Sequence, residues 1–466
     1  MRTKFLKITA FGGMGLLMLV LITATILEKV HGSSFALSNI YHSAWFIALW
    51  SVLAVSAMIY IMCVSRRSTL ILLHTSFAVT LLGAFVSFTT SQHGTILLTK
   101  DAVPASMFTT ADGSLERLPF RMRLTGIDTY YIEGTEQVSG YKAYITADDK
   151  RGNDTHAVSL NSPMKHKGYS FCIKGVSAES LSLLVARDTY GKPISYIGYL
   201  MVFTSFIMLF FDKRSGFRRI LQQLQESCKT KKGKENISRN IFAGKAGWIL
   251  AIPFILLCLI WYMRGIFPVT NGAESLLLLV LVMTTLAVFF KIKKIFKSLC
   301  IILTTVASII TVVAAFSFEC NSSVQPILRT PLLGIHVTTI IIAYALLFCT
   351  AINAVMALCS KDCEKRTKQA MLGRVLLYPA TALLTAGIFI GAVWANISWG
   401  RYWGWDPKEV WALITLLVCS TAFHTHSLRF ISKPTTFHVF CIVAFIAMLF
   451  TFFGVNYLLG GIHSSA

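Results

Sequence analysis

Long apolar runs recur along the whole chain, separated by short polar stretches, and this alternation constrains the fold more than any other feature. A helix that crosses a bilayer needs roughly 20 predominantly apolar residues, because no water in the hydrocarbon layer can satisfy an exposed backbone N–H or C=O. About eleven runs meet that length criterion. They cover 8–27, 44–64, 70–90, 194–211, 246–263, 273–290, 298–316, 334–357, 375–396, 410–426 and 436–458. Hydrophobic residues make up 55% of the 466-residue chain, charged residues only 14%, and the mean hydropathy is +0.64. The first run follows the basic segment MRTKFLK, like the start of a signal peptide. Its length and the lack of a small-residue cleavage motif predict a retained anchor.

The formal charge of +22 raises the question of nucleic acid, and its distribution answers it. Basic clusters occur at Arg2, Lys4 and Lys7, at Arg66 and Arg67, from Lys213 to Lys245, from Lys291 to Lys297, from Lys361 to Arg374, and at Arg429 and Lys433. They fall at every second gap between apolar runs, the positive-inside pattern of a membrane protein. The partner implied is the lipid bilayer and not nucleic acid, with a cytoplasmic N-terminus and an external C-terminus. The eleven cysteines lie mostly inside apolar runs and no CxxC occurs, so no redox or metal role is assigned to them.

One long external segment, about 91–193, alternates β-favouring and polar residues between turn signals, as in FRMRLTGIDTYYI and YKAYITA. The predicted architecture is an all-α polytopic membrane protein with one small β-rich external domain. Residues 1–211 form a four-span module that carries this domain. Residues 212–245 are a basic cytoplasmic linker, and residues 246–466 form a seven-span module.

Between the ninth and tenth runs stands WGRYWGWDPKE, residues 399–409. Trp399, Tyr402, Trp403 and Trp405 crowd into seven positions on the external side. Such a strip is either an interfacial anchor or a flat floor for a flat apolar ligand. Trp399, Trp403 and Asp406 have helical spacing, so a helix would put them on one side. Asp406, Pro407 and Glu409 also read as N-cap, N1 and N3 of the next helix.

Four histidines complete the pattern. His336 and His463 lie at external ends of runs and flank the tryptophan strip in sequence. Paired neutral imidazoles are what haem iron accepts as axial ligands. His74 and His424 lie within the cytoplasmic halves of two runs, where an ionisable residue is costly and needs a partner or a function. His426 is two residues from His424 and points elsewhere on a helix. His31, His42, His93, His156, His166 and His438 show no constellation and are read as surface or packing residues.

WGRYWGWDPKE is similar to the tryptophan-rich WWD signature of haem-handling membrane proteins. WDPKE followed by WALIT, PLLGIHV and the ending FFGVNYLLGGIHSSA resemble the CcsA (ResC) branch of system II cytochrome c biogenesis. ILEKVHGS and LLHTSFAVTLLGAF resemble CcsB (ResB). The resemblance covers essentially the full chain and implies a fused CcsB–CcsA cytochrome c synthetase of a bacterial cytoplasmic membrane. It implies that His74 and His424 hold haem b at an inner station. It makes His336 and His463 the axial ligands of an outer one, with Trp399, Trp403, Trp405 and Asp406 holding the macrocycle. The implied reaction is thioether attachment to the CxxCH segment of an apocytochrome c, with a thioredoxin-like protein keeping its thiols reduced. The soluble segment is short for a CcsB partner, and His426 stands where the family often carries Arg.

Two other readings fit part of the pattern. A haem exporter or haem chaperone shares the WWD signature without synthetase activity; the CcsB-like half argues for the synthetase, since a carrier need not bring its own partner. A non-haem transporter would use the tryptophans as interfacial anchors and would be indifferent to His336 and His463.

Overall fold

The computed structural model describes residues 2–65, 67–110, 112–131, 138–149, 152–229, 255, 257–259, 272–292, 296–316 and 330–459. Eleven helices of more than one turn, the last extended by a π-helical segment, carry most of these residues. They are α1 (Arg2–His31), α2 (Ala44–Val64), α3 (Ser68–Thr90), α4 (Gly191–Phe211), α5 (Gly216–Lys229), α6 (Gly272–Ile292), α7 (Lys297–Phe316), α8 (Pro331–Cys359), α9 (Cys363–Trp399), α10 (Pro407–Thr421) and α11 (Pro434–Leu449), which runs on as Phe450–Leu459. Among the described residues nine helices are long and apolar enough to cross a membrane, so this is a multi-pass membrane protein.

Among the described residues the expected count of about eleven spans is not confirmed, for two reasons. The run at 246–263 lies almost wholly outside the described residues. The run at 410–426 yields only the 15-residue helix α10, about 22 Å long by helical rise and short of a hydrocarbon core. That helix stops at Thr421, where successive turns take over the backbone hydrogen bonds: His424 N–H donates to Thr421 O, and Leu428 N–H to His424 O. His424 therefore lies in the turns that follow α10 and not in the helix itself.

Small residues let the helices approach closely. Gly198 of α4 lies against Thr80 of α3, and Gly83 against Ser195, the packing expected where no hydrophobic drive separates helix from lipid. The basic segment after α4, expected as a linker, begins as helix α5. Its Gly216 backbone and Phe217 ring rest on Tyr378 of α9, the rings 5.6 Å apart.

The segment between α3 and α4 is the anticipated β-rich domain: one antiparallel eight-stranded sheet in the order β5-β4-β3-β2-β1-β8-β7-β6. The strands are β1 (Gln92–Thr99), β2 (Ala105–Thr110), β3 (Leu115–Tyr131), β4 (Val138–Asp149), β5 (Gly152–Ser159), β6 (Met164–His166), β7 (Tyr169–Val176) and β8 (Ser180–Arg187). Period-two alternation in β3 buries Leu118, Phe120, Met122 and Leu124 while Arg117, Arg121 and Arg123 face out. With Phe108, Ile145, Phe171, Leu181 and Leu183 these residues form a core separate from that of the helices. The domain sits at the end of the bundle where α3 finishes and α4 begins, called here the domain end.

Candidate functional site

At the far end of the bundle, His74 on the first turns of α3 meets His424. Their ring centroids are 6.1 Å apart and the rings nearly perpendicular, at 88°. Each is fixed by the backbone carbonyl four residues before it. His74 Nδ1 lies 2.8 Å from Leu70 O, and His424 Nδ1 lies 2.9 Å from Ser420 O. A carbonyl oxygen can only accept, so both Nδ1 atoms carry the proton and the lone pair of each ring is on Nε2. Phe11 of α1 packs edge-on to His424 at 5.2 Å, and Tyr60 of α2 hydrogen-bonds Ser427 at 2.8 Å. Helices from both halves of the chain thus close around the pair. His426 is exposed and takes no part in this packing.

At the domain end, His336 stands near the start of α8, with Nδ1 2.7 Å from Gly387 O of α9. The same argument puts its lone pair on Nε2. Space for the ring comes from α9: a Cβ on Gly391 would lie 2.6 Å from His336 Cε1, and one on Gly387 would meet Ile340. Sequence reading passed over these two residues, although GIFIG is a GxxxG spacing and signals a close helix approach.

The tryptophan strip is not one helix. Trp399 is the last residue of α9, and its ring packs on Trp394 at 4.8 Å. Gly400 ends the helix in the left-handed conformation, φ 73°. Residues 401–406 then form a loop, so Trp399 is not aligned with Trp403 and Asp406 as helical spacing suggested. Trp403 and Trp405 lie edge-to-face at 5.9 Å. Trp405, at φ 57°, stacks on Tyr41 at 4.6 Å and 8° and meets Phe46 at 5.3 Å. A non-glycine residue held at positive φ costs of order 1–3 kcal/mol, offset here by these contacts with the N-terminal half.

Asp406 is the N-cap of α10, accepting from Lys408 N–H at 2.9 Å, within a complete capping box. Glu409 reaches back to Asp406 N–H at 3.3 Å and, one turn of loop further, to Gly404 N–H at 2.8 Å. These two carboxylates pin the loop by its backbone. Lys408 reaches Asn456 at 3.2 Å; burial holds its ammonium below the usual lysine range, and the charge of Asp406 opposes that shift. Burial pushes the Tyr402 hydroxyl well above its ordinary value, so it stays neutral. His463, expected beside this strip, lies outside the described residues.

The β domain rests directly on this end of α9. Cys172 Sγ is 3.8 Å from Ile397 O, Ser398 Oγ is 3.5 Å from Asn161 Oδ1, and a Cβ at Gly400 would lie 3.0 Å from Ala186 Cβ. The remaining contacts between the halves include Tyr199 stacked on Phe389 at 4.4 Å and Trp411 Nε1 donating to Thr25 at 3.2 Å.

The residues offer donor types that a planar macrocycle with an iron centre would use. The His74 and His424 rings stand 6.1 Å apart, each with its lone pair on Nε2, a donor type that haem iron accepts. Near the loop, the indole N–H groups of Trp394 and Trp403 are buried without a hydrogen-bond acceptor, as donors awaiting a ligand's oxygens would be.

Comparison with known proteins accounts for both halves. Residues 63–194 match the ResB-like family and residues 269–463 the cytochrome C assembly protein family. The chain is 32% identical over 231 residues to cytochrome c biogenesis protein CcsA of Chlamydomonas reinhardtii, covering 45% of this chain and 64% of that protein. It is 30% identical over 250 residues to CcsA of Cuscuta exaltata, covering 45% of this chain and 80% of that one. Protein NrfI of Wolinella succinogenes is 33% identical over 154 residues, which are 31% of this chain and 17% of NrfI. With a ResB-like segment ahead of a CcsA-like one, the chain belongs to the CcsA family of cytochrome c biogenesis proteins, in its fused CcsB–CcsA form.

Proposed function

We propose that the protein is a system II cytochrome c synthetase, which takes haem b into the membrane, presents it beside the tryptophan loop and attaches it to apocytochrome c. The observation that carries this reading is the shared state of three histidines. His74, His424 and His336 each donate Nδ1–H to a backbone carbonyl, which orients the ring and raises the basicity of Nε2 toward iron. His74 and His424 form the receiving station at the far end. His336, with His463 as the second axial ligand, forms the delivery station at the domain end. Trp399, Trp403 and Trp405 support the macrocycle there, while Asp406 and Glu409 hold the loop's shape.

The protein's contribution is binding, orientation and exclusion of water. Haem supplies two vinyl groups. Each cysteine thiol of the incoming CxxCH segment adds across one of them: a C–S bond forms and the thiol proton ends on the neighbouring vinyl carbon, so no oxidant is consumed. The histidine of that segment replaces one axial imidazole, which releases the product. A thioredoxin-like reductant keeps the two thiols free. In this reading residues 1–211 are the CcsB-like module, 212–245 a basic cytoplasmic linker and 246–466 the CcsA-like module. The protein lies in a bacterial cytoplasmic membrane with its β domain, tryptophan loop and C-terminus outside.

The test is co-expression with an apocytochrome c reporter in cells lacking their own synthetase. His336→Ala is expected to lower covalent haem on the reporter at least tenfold, with imidazole in the medium restoring part of it. Normal attachment by the variant would refute the assignment of His336. Wild-type protein that carries haem yet never attaches it would support the exporter reading instead.

A further inference from the structure

The β domain holds a cluster that neither the helices nor the tryptophan loop uses. Asp154 and His156 are two apart on β5, and their pairing partners across the sheet, Ala147 and Ile145, are buried. Both side chains therefore lie on the core face, at its margin. At the other edge of the sheet, β6 ends in His166. The sheet curls so that these outer strands meet at the turn closed by reciprocal hydrogen bonds between Ser159 and Ser162, each 3.1 Å. The rings of His156 and His166 come to 5.5 Å, and one ligand atom from each of Asp154, His156 and His166 falls within 4.8 Å of the others. Read from the sequence, these two histidines had no partner; the curl of the sheet provides one.

We propose that this corner of the β domain binds a divalent transition-metal ion of borderline softness, Zn2+ or Cu2+. Three observations carry it. The donor set, two imidazoles and one carboxylate, suits those ions and not the all-oxygen preference of Mg2+ or Ca2+. His156 Nε2 is buried from solvent and has no hydrogen-bond partner, so a lone pair or a donor is left unsatisfied unless something binds there. The Phe120 ring, buried in the core, packs edge-on to His166 at 4.6 Å and fixes the imidazole plane from behind, as a ligand's supporting residue does. A tetrahedral zinc at about 2.0–2.1 Å from nitrogen holds its ligand atoms roughly 3.3 Å apart. Closing the cluster to that spacing takes small rotamer changes, and exposed Asp154 has the freedom to make them. Three protein ligands leave one position of a tetrahedral ion for a further ligand.

The experiment uses the full chain in detergent, stripped with chelator and dialysed against Zn2+ with Mg2+ in large excess, with bound zinc measured per chain. Wild-type protein is expected to retain about one zinc more than the His156→Gln/His166→Gln double variant. Asp154→Ala, at an exposed position, is expected to weaken binding roughly tenfold. Equal zinc in the wild type and the double variant would overturn the proposal. If the double variant does not accumulate, unchanged zinc affinity in Asp154→Ala would overturn it instead. An unchanged size-exclusion profile in detergent serves as the check that each variant is folded.

Discussion

Gly391 shows how a residue without a side chain positions one that has chemistry. A methyl group there would press on His336 Cε1, in a helix seam where overpacking costs about 1–3 kcal/mol. Gly391→Ala is expected to push the imidazole off Gly387 O and to weaken haem at the domain end roughly tenfold, the usual scale for disturbing a ligand's support. Absorption spectra of the purified variant check this; an unchanged spectrum would mean that His336 is held by something else. Asp406 offers a second case, because capping and loop shape meet in one carboxylate. Asp406→Ala removes a cap that contributes about 0.5–2 kcal/mol, too little to prevent membrane insertion. Haem retention is expected to fall while the protein level in the membrane holds; loss of the protein from the membrane would assign Asp406 a structural role alone. At this scale the sequence was informative wherever a residue was out of place. A histidine deep in an apolar run or a tryptophan crowd stands out, and the capping box could be read letter by letter. The stack of Trp405 on Tyr41 could not, since nothing in either neighbourhood points to the other.

Among the elements, the contact between the β domain and the end of α9 decides how the tryptophan loop is presented. Cys172 is buried there, and burial pushes its thiol above the ordinary 9.0, against weaker opposing effects of Ser170, Lys192 and Lys165. A group whose folded value is raised stabilises the fold fully below its unfolded value, and that stabilisation is lost as pH rises beyond it. The docked domain is therefore expected to loosen above about pH 9. Cys172→Ala should lose that component of the pH dependence, as followed by proteolysis of the domain. Identical profiles for the two proteins would show that Cys172 is not buried on docking. Helices α1–α4 and α6–α9, α11 and the β-rich character of the external segment were legible from apolar run length and strand alternation, whereas the eight strands and their order were not. Helix α10 stops short of the end of its apolar run, because hydropathy counts apolar residues without seeing where turns capture the backbone at Thr421–Leu428. The helical reading of 399–406 failed for a related reason: periodicity suggested a face, but Gly400 breaks the helix before the face can form.

On the scale of the whole molecule, the two halves are interleaved and not merely joined. Trp405 rests on Tyr41, Trp411 on Thr25, His424 on Phe11 and beside His74. Each end of the bundle therefore draws its candidate ligands or their supports from both the ResB-like and the CcsA-like parts, a physical reason for their being carried on one chain. It follows that His74→Ala and His424→Ala should have the same effect on the far-end station, although they lie in different modules. The most direct test is the optical absorption spectrum of the detergent-purified protein, wild type beside His74→Ala, His424→Ala and His336→Ala. The wild type is expected to show a Soret band with sharp reduced α and β bands, with His74→Ala and His424→Ala altered alike and His336→Ala altered separately. A featureless spectrum from folded wild-type protein, or three variants indistinguishable from it, would rule out haem ligation by these histidines.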